Sequence, residues 1–427
     1  MKIPDGWSRT RLKYTVETPV NGVWGNEPNG KEDDVLVVRV ADFHPTTAGL
    51  REVLPTVRSV ERNLRGGRLL RRGDLLLEKS GGGDLQPVGR VVLVDRDLDA
   101  DAVCSNFVAR MRALPAYDPV FLNLLHRALY RADLTRPSIK QTTGIQNLDG
   151  DSYLSQHVVV PPLALQRALG TALTQQVSAI EDERVKVRYV QELLRERREG
   201  RLDALTEEGD TQKLRVTYLL QGIEQGWSPE CDARLAEADG WGVLKVGSVN
   251  YGRFAEEQHK ALPDTFEPRP RLEVRADDVL MSRGNTRELV GSVAYVEKTR
   301  PRLLMCDLLY RLLPDRTRVL PEYLALALNR TAVREQLEPA TVGASDSMQK
   351  ISQELIRSLV IPIPTLGAQA ERLSRARTII AESDAADEAA RRLDDKLVER
   401  RDALMADTVT GGAGFLPSEL PPLEAAA

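Results

Sequence analysis

Cysteine is scarce in this chain. Its three residues, Cys104, Cys231 and Cys306, are an odd number without close spacing, which indicates neither a disulfide framework nor a zinc site. Four histidines, His44, His126, His157 and His259, show no metal-ligand spacing, so no metal is expected. No apolar run approaches the roughly 20 residues that cross a bilayer. The N-terminal stretch MKIPDGWSRTRL lacks the apolar centre of a signal peptide. A reducing cytoplasm and no membrane partner are therefore expected. Neither H-E-x-x-H nor G-x-x-x-x-G-K-[ST] occurs, which removes two common catalytic frameworks. Basic excess is missing too: the formal net charge is −4, which on its face argues against a nucleic-acid partner.

Proline is absent from Leu163 to Ser228 and again from Thr365 to Leu416. Pro161, Pro162 and Pro364 mark the two starts, where a missing backbone N–H costs nothing. Within the first run Leu173, Ile180, Val187 and Leu194 fall seven apart, with Leu169, Val177 and Val190 beside them. The second run carries Leu373, Ala376, Ile380, Ala390, Leu393, Leu397 and Leu404, with charges between them. A narrow apolar stripe on a long helix is the pattern of a two-helix seam; a helix packed only on its own domain usually shows a wider one. Two such helices satisfy each other most simply as an antiparallel coiled coil.

What is abundant is repetition. VVVPPLALQ (158–166) and IPIPTLGAQ (361–369) spell one strand-to-helix junction 203 residues apart in a chain of 427. Near that offset Gln146 meets Gln349, Trp24 meets Trp227, and ERRE (196–199) meets ERRD (399–402). GDLLLEKSGGG (73–83) resembles DDVLMSRGN (277–285), Gly89 pairs with Gly291, and Arg110 pairs with Arg311. The chain reads as a tandem duplication of a mixed α/β (α+β) domain followed by a long helix. The boundaries expected are a first recognition domain at 1–160, a helical spacer at 161–205, a second domain at 206–362, a second spacer at 363–411, and a flexible tail at 412–427. Strands are expected at 34–43, 89–94 and 106–114, with counterparts at 242–251, 291–296 and 307–313. Helices are expected at 119–129 and 321–330.

Twin, diverged domains held at a fixed separation suit duplex DNA, whose half-sites lie a set number of helical turns apart. The domain–helix–domain–helix order resembles the specificity subunit of type I restriction–modification systems. So do the segments GDLLLEKSGGG and DDVLMSRGN, TTGIQNL and DSMQKIS, the two proline junctions, and the ending ERRDALMADTVTG. The likeness covers all but about the last fifteen residues. Its departures are Gly200, which interrupts the first helical pattern, and Thr365 in place of a second proline.

The resemblance implies that each domain reads one part of a gapped double-stranded DNA target. The helices would set the gap and dock the DNA methyltransferase (modification) subunits, two in number. S-adenosylmethionine belongs to those subunits, and ATP and magnesium to a separate motor–nuclease (restriction) subunit. No cofactor is expected on this chain, and catalysis by it alone is not expected. The nearest approach to an adenine-methyltransferase motif, Asp118-Pro119-Val120-Phe121, lacks the second proline. A two-headed coiled-coil scaffold that binds proteins, or a specificity partner of a methyltransferase-only or phage-defence system, is the alternative.

Candidate DNA contacts fall in two segments of each copy. Lys79 and Ser80 follow an apolar strand and open a glycine-rich turn, as Arg283, Asn285 and Arg287 do in the second copy. Glycine lets backbone approach a phosphate, and Lys or Arg reaches phosphates or guanine acceptors; a solvated hairpin tip is the bland reading. Lys140, Gln141 and Gln146, with Gln349 and Lys350, lie before the last strand. They suit base or backbone contacts, or a simple tether. Ser347-Met348-Gln349-Lys350 spells S-x-x-K without its companion motifs. Trp24 and Trp227 are assigned to packing. The helical interface is assigned to Leu173, Ile180, Val187, Val190, Leu194, Leu373, Ile380, Leu393, Leu397 and Leu404.

Overall fold

The structure, a computed structural model, describes residues 3–44, 47, 49–83, 86–141, 145–338 and 349–412. The chain divides into two units: Met1–Arg188 with Arg391–Ala427, and Tyr189–Ala390. The tail beyond Gly412 lies outside the described residues.

In the first unit the strands run β1 (Ser8–Arg11), β2 (Val20–Asn21), β3 (Asp34–Val38) and β4 (Val57–Ser59). After the short helix α1 (Arg62–Arg65) come β5 (Asp74–Glu78), β6 (Val91–Leu93), β7 (Ala102–Cys104) and β8 (Val108–Arg112). Helix α2 (Pro119–Arg131) leads to β9 (Ile139–Gln141), β10 (Gln146–Leu148), α3 (Gly150–Leu154) and β11 (His157–Val160). Asp118 caps α2, its Oδ1 accepting from Phe121 N at 2.9 Å, and Pro119 opens it. One sheet has the order β2-β8-β5-β6 and another β4-β3-β7, while β1 pairs with β11. The long helix α4 (Leu163–Glu207) follows.

The second unit repeats this plan. It contains β12 (Gln212–Arg215), β13 (Leu220–Gln225), β14 (Gly242–Leu244), β15 (Val249–Asn250), β16 (Arg253–Phe254) and β17 (His259–Ala261). Next come β18 (Val279–Ser282), β19 (Gly284–Asn285), β20 (Val293–Tyr295), β21 (Leu303–Leu304) and β22 (Leu309–Pro314). Helices α5 (Pro321–Leu328) and α6 (Thr331–Leu337) precede β23 (Gln349–Lys350), α7 (Gln353–Ser358) and β24 (Val360–Ile363). The long helix α8 (Leu366–Thr410) ends the described chain. Its sheets are β13-β22-β18-β20 and β17-β14-β21, with β12 paired to β24. Each order matches its counterpart strand for strand, so the fold is a mixed α/β duplication with two long helices. The segments expected as single strands at 34–43 and 242–251 are instead a strand followed by a 3-10 turn (Val40–Asp42; Val246–Ser248).

The repeated proline junction fastens each long helix to its globular part through one buried glutamine. Gln166 Oε1 accepts from Asp118 N at 2.8 Å, and its Nε2 donates to Pro161 O at 2.8 Å. Gln369 does the same, accepting from Leu320 N at 2.8 Å and donating to Pro364 O at 3.0 Å. Both side chains are buried, so each satisfies backbone groups that water cannot reach.

Each unit also takes a piece of the other long helix, running antiparallel to its own. In the first unit Leu173 and Val177 of α4 join Met405 and Val409 of α8 in one core with Phe121 and Leu125 of α2. Beyond that core the seam turns polar. Arg184 Nε donates to Asp394 Oδ1 at 2.8 Å, and Arg401 Nη1, on a side chain 1% exposed, to Glu181 Oε1 at 2.6 Å. The hydrogen bond from Arg184 holds the Asp394 carboxyl below the usual carboxylate range. In the second unit Leu202 and Leu205 of α4 pack on Ala376 and Ile379 of α8. Gln191 Nε2 donates to Asp387 Oδ1 at 3.1 Å, and Arg201 pairs with Glu382 at 2.8 Å. Arg372 Nη1 donates to Thr206 O at 3.1 Å and Nη2 to Glu208 O, so α8 caps the C-terminal carbonyls of α4.

These contacts correct the interface assignment in part. Leu173, Ile180, Val187 and Leu373 are buried, and Leu194, Leu397 and Leu404 are half-buried. Val190, Ile380 and Leu393 are exposed. A strict seven-residue spacing drifts by about 20° per heptad on a straight helix, so the stripe rotates off the seam where charged pairs replace it. Ile379, not Ile380, turns inward. Gly200 does not interrupt α4, which continues to Glu207.

The copies differ beside α2 and α5. Arg377 Nε of α8 meets Glu322 Oε1 of α5 at 2.9 Å in the second unit. The matched residues Thr174 and Val120 in the first unit line a cavity of about 730 Å³. His126 is fully buried on α2, bonded to the Tyr153 hydroxyl at 2.6 Å, and burial pushes its pKa down to about 4.

Two outcomes follow for stability. Arg401→Ala removes one of two arginines from the Glu181 carboxylate, leaving Arg184 at 3.1 Å, and should destabilise the first unit by about 1–3 kcal/mol in denaturant titration. The unfolded chain protonates His126 near its ordinary value of about 6.5 while the folded chain keeps it neutral. Stability is therefore full above that pH and falls as pH drops toward 4, by about 3 kcal/mol. His126→Gln should flatten that dependence when unfolding is followed across the same range.

Candidate nucleic-acid interface

The sequence named two separate segments per copy, and the structure brings them together at one strand end. In the first unit Lys79 leaves β5; its N donates to Phe107 O at 2.8 Å, and its O accepts from Leu148 N at 2.8 Å. Gly81 N donates to Gln146 O at 3.2 Å, and Ser80 bridges to Asn147. The side chains follow the backbone: Lys79 Nζ reaches Asn21 Oδ1 at 2.6 Å, and Ser80 Oγ reaches Asn147 Oδ1 at 2.5 Å. Partial burial pulls the Lys79 pKa below the ordinary lysine value, so an incoming anion would meet a cation already short of water. Glycine is required in the turn, because a Cβ on Gly82 would lie 2.5 Å from Val88 N.

The second unit builds the same strand end with other side chains. Arg283 N donates to Leu308 O at 2.8 Å, and Ile351 N donates to Arg283 O at 2.9 Å. β19 pairs with β23, setting Gly284 opposite Lys350 and Asn285 opposite Gln349. The Arg283 guanidinium donates to Asp307 O at 3.2 Å and sits 5.8 Å from the Tyr310 ring centre. Arg287 and Lys350 are exposed, and Asn285 is half-buried with its Oδ1 taken by Thr286 N at 2.9 Å.

Two of the named glutamines face inward. Gln146 is 7% exposed and its Oε1 accepts from Val88 N at 3.3 Å; Gln349 is likewise buried. Burial and the Val88 bond favour the tether reading for Gln146, and Gln349 occupies the matched buried position opposite Asn285. Lys140 is exposed and held by Asp149 at 2.7 Å, while Gln141 is exposed at the end of β9. Thr142, Thr143, Gly144, Ser347 and Met348 lie outside the described residues. The tryptophans pack: Arg58 covers Trp24 at 4.5 Å and Arg269 covers Trp227 at 4.1 Å, leaving those faces occupied. Among the described residues no three metal-ligating side chains converge, and no helix is long and apolar enough to cross a membrane.

Sequence reasoning missed Asn21, Phe107 and Asn147, and in the second unit Gln225 and Leu308. A signal was present, since Asn21-Gly22 and Gln225-Gly226 stand at matched positions just before Trp24 and Trp227.

No protein-family model matches the chain. The EcoEI type I restriction enzyme specificity subunit of Escherichia coli is 34% identical over 161 residues, 38% of this chain and 27% of that protein. The EcoKI specificity subunit of Escherichia coli K12 is 23% identical over 272 residues, 60% of this chain and 57% of that one. A chain from a solved type I restriction–modification system superposes with a TM-score of 0.68 at 18% identity, over 96% of this chain and all of that one. The chain resembles type I restriction specificity subunits in sequence and a chain of a type I restriction–modification system in fold. The matched stretches span about a quarter and just over half of these two specificity subunits. The structural match carries the likeness to fold across both units.

Separate duties are expected for neighbours in β10. Gln146→Ala removes a buried acceptor and should cost about 1–3 kcal/mol of stability. Asn147→Ala, at an exposed position, should leave the denaturation midpoint within about 0.5 kcal/mol and change only ligand binding.

Proposed function

We propose that the chain is the DNA sequence-recognition subunit of a type I restriction–modification complex and is not itself catalytic. Each unit reads one half of a bipartite, asymmetric duplex target. The long helices set the spacing between halves and dock two modification subunits. S-adenosylmethionine sits on those subunits, and ATP and magnesium on a motor–nuclease subunit. One observation carries this reading: the strand-end constellation is built twice on the same strand order with different side chains. Lys79, Asn21 and Asn147 stand in one copy, and Arg283, Gln225 and Lys350 in the other. A shared sheet order with different tips suits two different half-sites. Asn and Gln suit adenine, Arg suits guanine, and Lys suits guanine or a phosphate. The names of the curated relatives support the same reading.

The net charge of −4 fits a reader whose partners neutralise many of the phosphates. Purified alone, the chain should bind DNA weakly and with a shallow salt dependence. Adding modification subunits should tighten binding and steepen the slope of log K against log salt. Nanomolar specific binding by the chain alone at physiological salt would contradict this. In the host genome, deletion should abolish adenine methylation at one gapped motif. Lys79→Ala should relax specificity in one half of that motif, and Arg283→Ala in the other, each by about 1–3 kcal/mol at the affected pair. Relaxation of the same half by both variants would overturn the two-head assignment.

A further inference from the structure

The strand end holds one more side chain that polar readout does not use. Phe107 sits at the tip of the turn between β7 and β8 and is 49% exposed. Its backbone is rigidly held. Phe107 O accepts from Lys79 N at 2.8 Å, and Val108 N closes on Ser105 O at 2.9 Å. Gly22 N donates to Val108 O at 3.0 Å. Gly22 lies so close beneath the turn that a Cβ there would stand 2.1 Å from Cys104 O. The second unit repeats every part of this lock. Arg283 N donates to Leu308 O at 2.8 Å, Leu309 N to Cys306 O at 3.0 Å, and Gly226 N to Leu309 O at 3.2 Å. A Cβ on Gly226 would stand 2.1 Å from Cys306 O. Both copies therefore present an apolar residue at a fixed tip beside a cation. The second offers Leu308, half-buried on its own core, where the first offers an aromatic ring half in water.

Leaving half a phenyl ring in water on a preorganised turn forgoes burial worth about 1 kcal/mol or more. Ile145 is also exposed, one residue before β10 and so close to the same strand end. An apolar group flanked by Lys79, Ser80 and Asn147 matches the edge of a base step, where polar groups hold the backbone and an apolar wedge unstacks the bases. We propose that Phe107 is a specificity-determining residue of the first unit, resting its ring against a base step next to the base pair that Lys79 addresses. The inference rests on the DNA-reading function above.

The test uses the chain assembled with its modification subunits and the duplex identified by methylation mapping, with 2-aminopurine placed in turn along the first half-site. Wild type should raise fluorescence at one step. Phe107→Ala should abolish that rise, weaken specific binding about tenfold and relax discrimination at one adjacent pair, with non-specific binding and salt slope unchanged. Phe107→Leu, which copies the second unit, should fall between. A wild-type complex that discriminates its target without any fluorescence rise overturns the wedge, as does a Phe107→Ala complex with unaltered discrimination. A wild-type complex with no sequence preference overturns the DNA-reading function itself.

Discussion

Burying charge along a helical seam sets the terms for everything else in this molecule. Arg401 is almost wholly out of water, and such a guanidinium is tolerable only with carboxylates in place. Glu181 arrives from a position 220 residues earlier, so the seam forms only when distant parts of the chain meet in one register. Arg184 with Asp394, both largely out of water, extends the same demand in the first unit. Apolar contacts alone would tolerate a slip along the helices; paired charges do not.

That alignment matters because each globular part is tied to both long helices. Gln166 and Gln369 hold the start of a helix against the loop before α2 or α5. The far side of each unit is held by the end of the other long helix. Arg330, at the end of α5, meets Glu199 and Asp203 of α4 at 3.3 and 3.6 Å. In the first unit Arg127 of α2 is buried near Glu181 and Asp402, and burial lowers its pKa to about 10. Neither unit is therefore a bead on a string. The core of the first unit includes helix from two places in the sequence.

The duplication separates scaffold from function. Sheet order, the glutamine ties, the glycine locks and the arginine-covered tryptophans recur in both copies. The side chains that recur least faithfully are those at the strand ends, where Lys79, Asn21 and Phe107 face Arg283, Gln225 and Leu308. Divergence there, over a shared sheet order, fits the proposal of two readers of different sequences. The cavity beside Thr174, and the ion pair between Arg377 and Glu322 at the matched place, mark a second point where the copies part.

By itself the sequence determined the duplication, the two long helices and the position of the turn after each central strand. Those features are local: proline placement, heptad spacing and β-branched runs act through the backbone and neighbouring residues. Tertiary structure alone decided which residues of the stripe lie inward, because apolar contacts and charged pairs from segments about 200 residues apart meet along the seam. Only in three dimensions do Lys79, Phe107 and Asn147 meet, since hydrogen bonds between strands join segments that no sequence window contains. As letters Gln146 and Gln349 suit a base contact or a tether equally; only the folded strand end, which buries both side chains, favours the tether.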